Sequence, residues 1–439
     1  MKKRDTLIIG LMLFSMYFGA GNLIFPPFLG AESGTSFWLA IFGFVLTGVG
    51  LPLVVLLAIS LVNGGVQAIG DRVHPVFSTV FMVIIYLSIG PFLAIPRNAN
   101  VAFEMGVKPF LDNGGSPLIL FLYSVVFFVL VYVISLNPTN MEKYLGRFIT
   151  PVLLISMVIL CVVGFVKLDS PLQAPSAAYE AGAFSKGFIE GYNTMDALAS
   201  LAFGIVILTA IKQKGVNGRK QLTKYTLKAG VIAGSLLTLV YVSLGLIGAK
   251  MVGNGSYENG TDILSAASTV LLGSSGKALL GLIFTLACFT TVVGLTTACG
   301  QYFSKLFPKI NYKWVVLSFT LVGFTLSNLG LNQILKFSVP FLVTAYPLTI
   351  VLITLTFFNR YFKNQRAVYG SAMLFTGLFA LLGGLSTFGI DLGPLQTMRE
   401  VLPFSRYGLE WLVPAVVGTT IGMGFGIKVT GNSPYLKSE

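Results

Sequence analysis

Apolar runs of 17 to 28 residues recur along this chain, separated by short connections rich in glycine, proline, asparagine and basic residues. Such lengths match what an α-helix needs to cross a bilayer, about 20 residues at 1.5 Å each. The pattern predicts twelve spans, near residues 6–29, 37–62, 76–103, 116–136, 148–167, 186–211, 229–251, 276–303, 314–330, 334–358, 367–389 and 409–427. The third, sixth and eighth are long enough to be tilted or broken.

Polar positions inside these runs say more than the runs themselves. In the first run, Gly19-Ala20-Gly21-Asn22 interrupts the apolar sequence and Pro26-Pro27 follows. Backbone groups freed by a break have no water to bond in hydrocarbon, so a break at membrane depth lines a cavity, as half-helix ends do in secondary transporters. The sixth run reads Glu190-Gly191-Tyr192-Asn193-Thr194-Met195-Asp196-Ala197-Leu198-Ala199-Ser200, again polar and glycine-marked. A charge at membrane depth is costly unless paired or hydrated, which makes Asp196 and Glu190 candidate functional groups. Two structural alternatives stand beside that reading: Glu190 at the outer interface, and Asp196 capping a half-helix. In the eighth run, Thr290-Thr291 and Thr296-Thr297 offer hydroxyl oxygens, either as hard neutral ligands for an alkali cation or as groups bonding back to their own helix.

A faint internal symmetry accompanies these breaks. Arg147-Phe148-Ile149-Thr150-Pro151 opens the fifth run and Lys336-Phe337-Ser338-Val339-Pro340 the tenth, the same basic-Phe-x-x-Pro pattern entering from opposite faces. A five-plus-five inverted repeat produces that arrangement and pairs the broken first run with the sixth.

Composition agrees with the pattern. Of 439 residues, 55% are hydrophobic and 10% charged, whereas charged residues in soluble domains run near 25%. The net charge of +13 would point to nucleic acid in a soluble protein. Here 20 of the 29 basic residues fall on the amino-terminal side of the predicted topology, a positive-inside bias that places both termini in the cytoplasm and removes the nucleic-acid reading. Lys2-Lys3-Arg4 before an apolar stretch imitates a signal peptide, but the run continues past position 20, so the first helix is expected to be retained. Cys161, Cys288 and Cys299 lie in apolar runs, and His74 precedes Pro75 at a helix end, so no metal-ligand spacing exists. Arg97 and Glu104 read as residues near the outer end of the third run, pairing with each other or reaching water. Without a nucleophile–base pair or a phosphate-cradling loop, an enzyme is not expected.

Phe18-Gly19-Ala20-Gly21-Asn22-Leu23-Ile24-Phe25-Pro26-Pro27, taken with Gly191-Tyr192-Asn193-Thr194-Met195-Asp196-Ala197-Leu198-Ala199, resembles the bacterial branched-chain amino acid:cation symporters, the BrnQ-type carriers, and the resemblance covers essentially the whole chain. It implies an all-α polytopic membrane protein of the wider five-plus-five inverted-repeat amino-acid and sodium symporter group. Residues 1–167 would form the first repeat, 186–358 the inverted second, and 367–427 two further helices. The implied activity is import of L-leucine, L-isoleucine and L-valine with a cation, Na+ first, across the bacterial cytoplasmic membrane by alternating access. The implied sodium site joins Ala287, Thr290 and Thr291 to carbonyls at Ser15 and Phe18. Asn22 aligns with an asparagine that serves a second cation in sodium-coupled relatives, so Asn22, Asp196 and Glu190 are candidates for a second cation or proton site. The substrate carboxylate is expected on N–H groups of Gly19, Ala20 and Gly21, where the half-helix dipole favours negative charge. Its ammonium is expected on carbonyls near Tyr192, Asn193 and Thr194 or on Asp196. A rival reading keeps the architecture but couples small neutral amino acids to protons, or exchanges them, through Asp196. No cofactor beyond the coupling ion is expected.

Overall fold

The computed structural model describes residues 1–111, 116–255, 257–329 and 331–425, and it is built of helices. In chain order these are α1 (Lys3–Tyr17), α2 (Ala20–Ser33), α3 (Phe37–Val45), α4 (Leu51–Leu61), α5 (Gly65–Gly70), α6 (Pro75–Leu87), α7 (Ala94–Gly106), α8 (Pro117–Ser135), α9 (Thr150–Lys167) and α10 (Ala177–Glu180). There follow α11 (Ala183–Glu190), α12 (Asp196–Gln213), α13 (Arg219–Met251), α14 (Gly260–Leu272), α15 (Ser274–Leu306), α16 (Tyr312–Ser327), α17 (Leu331–Phe358), α18 (Gln365–Thr387), α19 (Pro394–Glu400) and α20 (Leu412–Phe425).

Among the described residues, nine helical stretches are long and apolar enough to cross a membrane. The difference from twelve predicted runs has local causes. The first run is two helices, α1 and α2, parted at Phe18-Gly19. The regions near 314–330 and 409–427 fold as the shorter apolar helices Tyr312–Ser327 and Leu412–Gly424. Residues 426–427 of the last run lie outside the described residues. Of the three long runs, the third breaks at Ser88–Phe92, where Gly90 leaves helical geometry beside Pro91, and the sixth breaks between α11 and α12. The eighth, α15, is continuous over 33 residues.

Outward faces are apolar. Val126, Val129 and Leu130 on α8 and Ile155, Val158 and Val162 on α9 are each about half or more exposed, a surface suited to lipid and not to water. Inside, glycines let backbones touch. A Cβ on Gly248 would lie 1.9 Å from the Pro27 carbonyl oxygen, one on Gly30 1.8 Å from that of Gly245, and one on Gly260 1.8 Å from that of Ile24. Half-helix α2 is thus pressed along α13 and the start of α14, the small-residue packing that membrane helices use in place of a hydrophobic drive. On the other side, α15 packs against α1, α7 and α12, and α18 packs with α17 and α20 apart from the breaks.

Candidate functional site

Two interruptions face each other at the centre. Helix α1 ends at Phe18, whose ψ of 84° turns its carbonyl out of the helical ladder, and extended Gly19 precedes the first turn of α2. Across from it, Gly191–Thr194 form a 3-10 turn and Met195 takes a left-handed conformation with φ of 66° before Asp196 opens α12. A left-handed non-glycine residue costs of order 1 kcal/mol or more, so surrounding packing holds Met195 there.

Side chains stitch the breaks together. Asn22 Nδ2 donates to Asp196 Oδ2 at 2.6 Å. The Tyr241 hydroxyl of α13 donates to the same oxygen at 3.1 Å and accepts from Asn22 Nδ2. Asp196 and Asn22 are 2% and 1% exposed and Tyr241 is fully buried, so these bonds are made without water to replace them. Asp196 does not act as a cap: its carboxylate bonds to side chains of α2 and α13, while its own N–H donates to Thr194 Oγ1 at 3.3 Å.

The expectation of three free N–H groups at the first break needs correction. Gly19 N–H donates to Asn22 Oδ1 at 3.2 Å, and Ala20 N–H donates to Asn98 Oδ1 of α7 at 2.8 Å. Freed donors have been capped by amide oxygens, leaving Gly21 as the one of the three not so engaged. Arg97 also departs from its sequence reading. It is 3% exposed, donates from Nη1 to the Asn193 carbonyl at 3.3 Å and lies 5.2 Å from the Phe25 ring centre. Glu104 pairs with Lys108 at 2.6 Å instead.

The proposed cation ligands are brought together in part. The Thr290 hydroxyl donates within 2.7 Å of the Ser15 carbonyl and lies 3.0 Å from the Ala287 and Leu286 carbonyls. Thr291 does not bond the Ser15 carbonyl: its buried hydroxyl has no hydrogen-bond partner among the described residues and faces the first break, 2.8 Å from where a Gly19 Cβ would be. Phe18 is buried directly after α1. Glu190 stands apart, its oxygens 3.1 Å from Lys186 Nζ and 2.8 Å from Asn193 Nδ2. Tyr192 stacks on Tyr346 with ring centres 4.3 Å apart, whereas the Asn193 carbonyl and Thr194 Cα lie 3.1 and 3.2 Å from where a Gly21 Cβ would be, and Asp196 is bonded to Asn22.

A narrow space of about 20 Å³ lies between the breaks, bordered by Gly19 to Asn22, Arg97, Asn98, Thr194, Asp196 and Thr291. That is room for about one water molecule. A second cavity of about 570 Å³ opens between α4, α12 and α15, with Lys212, Arg219 and Lys305 on its walls.

The sequence matches the family described as branched-chain amino acid transport protein over residues 2–428. This chain belongs to that family. Similar curated members are the branched-chain amino acid permeases BraB and BrnQ of Bacillus subtilis, each 45% identical with 95% of both chains covered. The branched-chain amino acid transport system 2 carrier protein of Pseudomonas aeruginosa is 40% identical, with 96% of both chains covered. Among solved structures, the fold matches Mhp1, a nucleobase-cation-symport-1 family transporter, closed with bromovinylhydantoin bound (TM-score 0.63, 16% identity, 96% of this chain and 92% of Mhp1). It also matches MhsT in complex with L-phenylalanine (TM-score 0.54, 16% identity, 95% of this chain and 97% of MhsT). The protein is therefore a transporter of secondary-transporter fold and not an enzyme.

Three site residues escaped the sequence reading. Arg97 and Asn98 carried a signal, since Arg97-Asn98-Ala99-Asn100 lies inside the predicted third run, where an ionisable residue is a functional candidate by default. Tyr241, a tyrosine within the apolar run 229–251, carried none.

Proposed function

We propose that this member of the branched-chain amino acid transport family imports leucine, isoleucine and valine together with Na+ across the bacterial cytoplasmic membrane by alternating access. The observation that carries the reading is the 2.6 Å bond from Asn22 to Asp196, which joins the two helix breaks around a buried polar space in a chain related to branched-chain amino acid permeases. In this reading the chain has twelve spans and cytoplasmic termini. Residues 1–167 and 186–358 are inverted repeats, and 367–427 follow as two added helices. The substrate ammonium faces Asp196 and the aliphatic side chain enters an apolar pocket, worth roughly 1.5–3 kcal/mol for a leucyl group. A space of about 20 Å³ does not admit leucine, so binding requires the breaks to separate, as alternating access demands.

Sodium would bind where the Ser15 and Ala287 carbonyls meet the Thr290 hydroxyl, with Phe18 and Thr291 completing the shell. Such an ion cross-links α1 to α15 and couples to substrate if both stabilise one state. One inward charge at 100 mV supplies about 2.3 kcal/mol, enough for accumulation on the order of 50-fold.

The test is uptake of labelled leucine into proteoliposomes under an imposed sodium or proton gradient, with isoleucine and valine as competitors. Sodium-dependent uptake competed by both is expected, and Thr290→Val and Thr291→Ala should lower sodium stimulation more than leucine affinity. A second reading rests on the burial of Asp196, whose partners Asn22 and Tyr241 are both uncharged: a carrier of small neutral amino acids coupled to protons, or exchanging them, through that carboxyl. Uptake that ignores sodium and follows the proton gradient would favour it.

A further inference from the structure

We infer that Arg97 is the anchor for the substrate's α-carboxylate, so that Arg97 and Asp196 form a fixed pair of opposite charges reading the two ends of a zwitterion. The inference rests on the functional reading above and names the residue that sets its head-group specificity.

Arg97 is buried and incompletely satisfied. A guanidinium offers five N–H donors in a planar fork suited to a carboxylate. Here Nη1 is engaged by the Asn193 carbonyl and one face by Phe25, while Nε and Nη2 are buried without a hydrogen-bond partner among the described residues. Among the described residues the ion pairs are Lys108–Glu104, Lys186–Glu190, Lys214–Glu142 and Arg399–Glu410, none of which includes Arg97. Asp196 borders the same narrow space as Arg97 but makes no ion pair with it, and a buried cation without a contacting anion is costly to keep, a cost that a ligand carboxylate between Nε, Nη2 and the first break removes.

The direction of the free donors fits. Nη2 lies 3.0 Å from where a Cβ on Gly21 would sit, which places it over the first break. Gly21 is also the glycine whose N–H the flanking amides leave unclaimed, since Asn22 and Asn98 take the N–H groups of Gly19 and Ala20. A carboxylate between Arg97 and the Gly21 N–H would meet a charged fork on one side and the positive end of α2 on the other. Asp196, bordering the same space, is left for the ammonium. Two ends of opposite charge, each with its own counter-charge, select against molecules bearing only one.

The experiment titrates the melting temperature of the purified protein with leucine, with leucinamide, which lacks the carboxylate, and with 4-methyl-2-oxopentanoate, which lacks the ammonium. Wild type is expected to bind leucine at least about 100-fold more tightly than either analogue, as a site with two buried charges rejects a ligand missing one. In Arg97→Gln, leucine affinity should fall at least about 30-fold while leucinamide affinity holds or rises, because truncating one partner of a buried charged pair penalises only the ligand that used it. Arg97→Lys keeps the charge but not the fork and should narrow the leucine-to-leucinamide ratio about 10-fold. It carries the test alone if Arg97→Gln does not fold. An unchanged ratio in a folded variant overturns the inference, because a purely structural Arg97 would weaken both ligands alike. A wild type that binds leucine while that ratio holds would leave the functional reading standing, whereas a wild type stabilised by no branched-chain amino acid would overturn both.

Discussion

The broken helices and the continuous ones divide the work at the centre of this transporter. The first and sixth runs split into α1 and α2 and into α11 and α12, whereas α13 and α15 run unbroken for 33 residues each. The broken pair contributes backbone, namely the Ser15 carbonyl, the extended Gly19 and the first turns of α2 and α12, together with the Asn22 and Asp196 side chains that bond one break to the other. The continuous pair contributes single side chains that meet this backbone and its neighbours, Tyr241 at Asp196 and Thr290 at the Ser15 carbonyl. Freed polar groups are tolerated at this depth only where protein surrounds them, and the unbroken helices provide that surround.

The largest expected effect comes from parting a broken helix from its unbroken support. Gly248→Leu would drive a side chain into the Pro27 carbonyl, 1.9 Å from the Cβ position, where both partners are backbone and cannot rotate away. Overpacking typically costs 1–3 kcal/mol and more against a rigid wall, so loss of monodisperse protein is expected. Gly253→Leu, with no described atom within 4 Å of its Cβ position, should leave yield and melting temperature unchanged. Equal behaviour of the two variants would refute close packing of α2 on α13.

Much of this division was legible in the sequence. The polar and glycine residues of 19–22 and 190–196 mark both breaks because nothing else explains them inside apolar runs. What filled the breaks was less legible. Asn22 and Asn98 cap N–H groups that the sequence left open to a ligand, and nothing in the spacing of position 22 to position 98 foretells that contact. Arg97 looked peripheral because it follows Pro96 close to residue 103, the predicted end of the third run, and the place of a break within that run was not legible. The break at Ser88–Phe92 resets α7, and Arg97 comes to face the first break. Thr290 and Thr291 looked equivalent, but neighbours on a helix point about 100° apart, and only Thr290 reaches Ser15.

A middle-sized effect is expected where one continuous helix touches the stitch between the breaks. Tyr241→Phe keeps the ring, which packs edge-on against Phe44 at 5.3 Å, and removes only the hydroxyl shared by Asn22 and Asp196. Hydrogen bonds to charged groups contribute about 1.5–3 kcal/mol, so leucine uptake should fall roughly 10- to 100-fold with little change in yield. Uptake within twofold of wild type would show that α13 supports the breaks by packing alone.

The smallest effect should come from a second threonine on α15 that touches neither break. Thr296 is fully buried and its hydroxyl has no hydrogen-bond partner among the described residues, whereas the Thr290 hydroxyl lies within 3.0 Å of three carbonyls, one of them across on α1. Valine has nearly the shape of threonine, so Thr296→Val removes an unpaired polar group and little else. Replacing such a group with an apolar one of the same shape is close to neutral or stabilising, and the melting temperature should hold or rise by the equivalent of at most about 1 kcal/mol, with sodium stimulation unchanged. Thr290→Val removes contacts that tie α15 to the end of α1, and interhelical hydrogen bonds of this kind average about 0.6 kcal/mol. Its melting temperature should therefore fall below that of Thr296→Val. If the two variants behave alike, the continuous helix does not meet the first break through a particular hydroxyl, and the proposed cation site loses its anchor on α15.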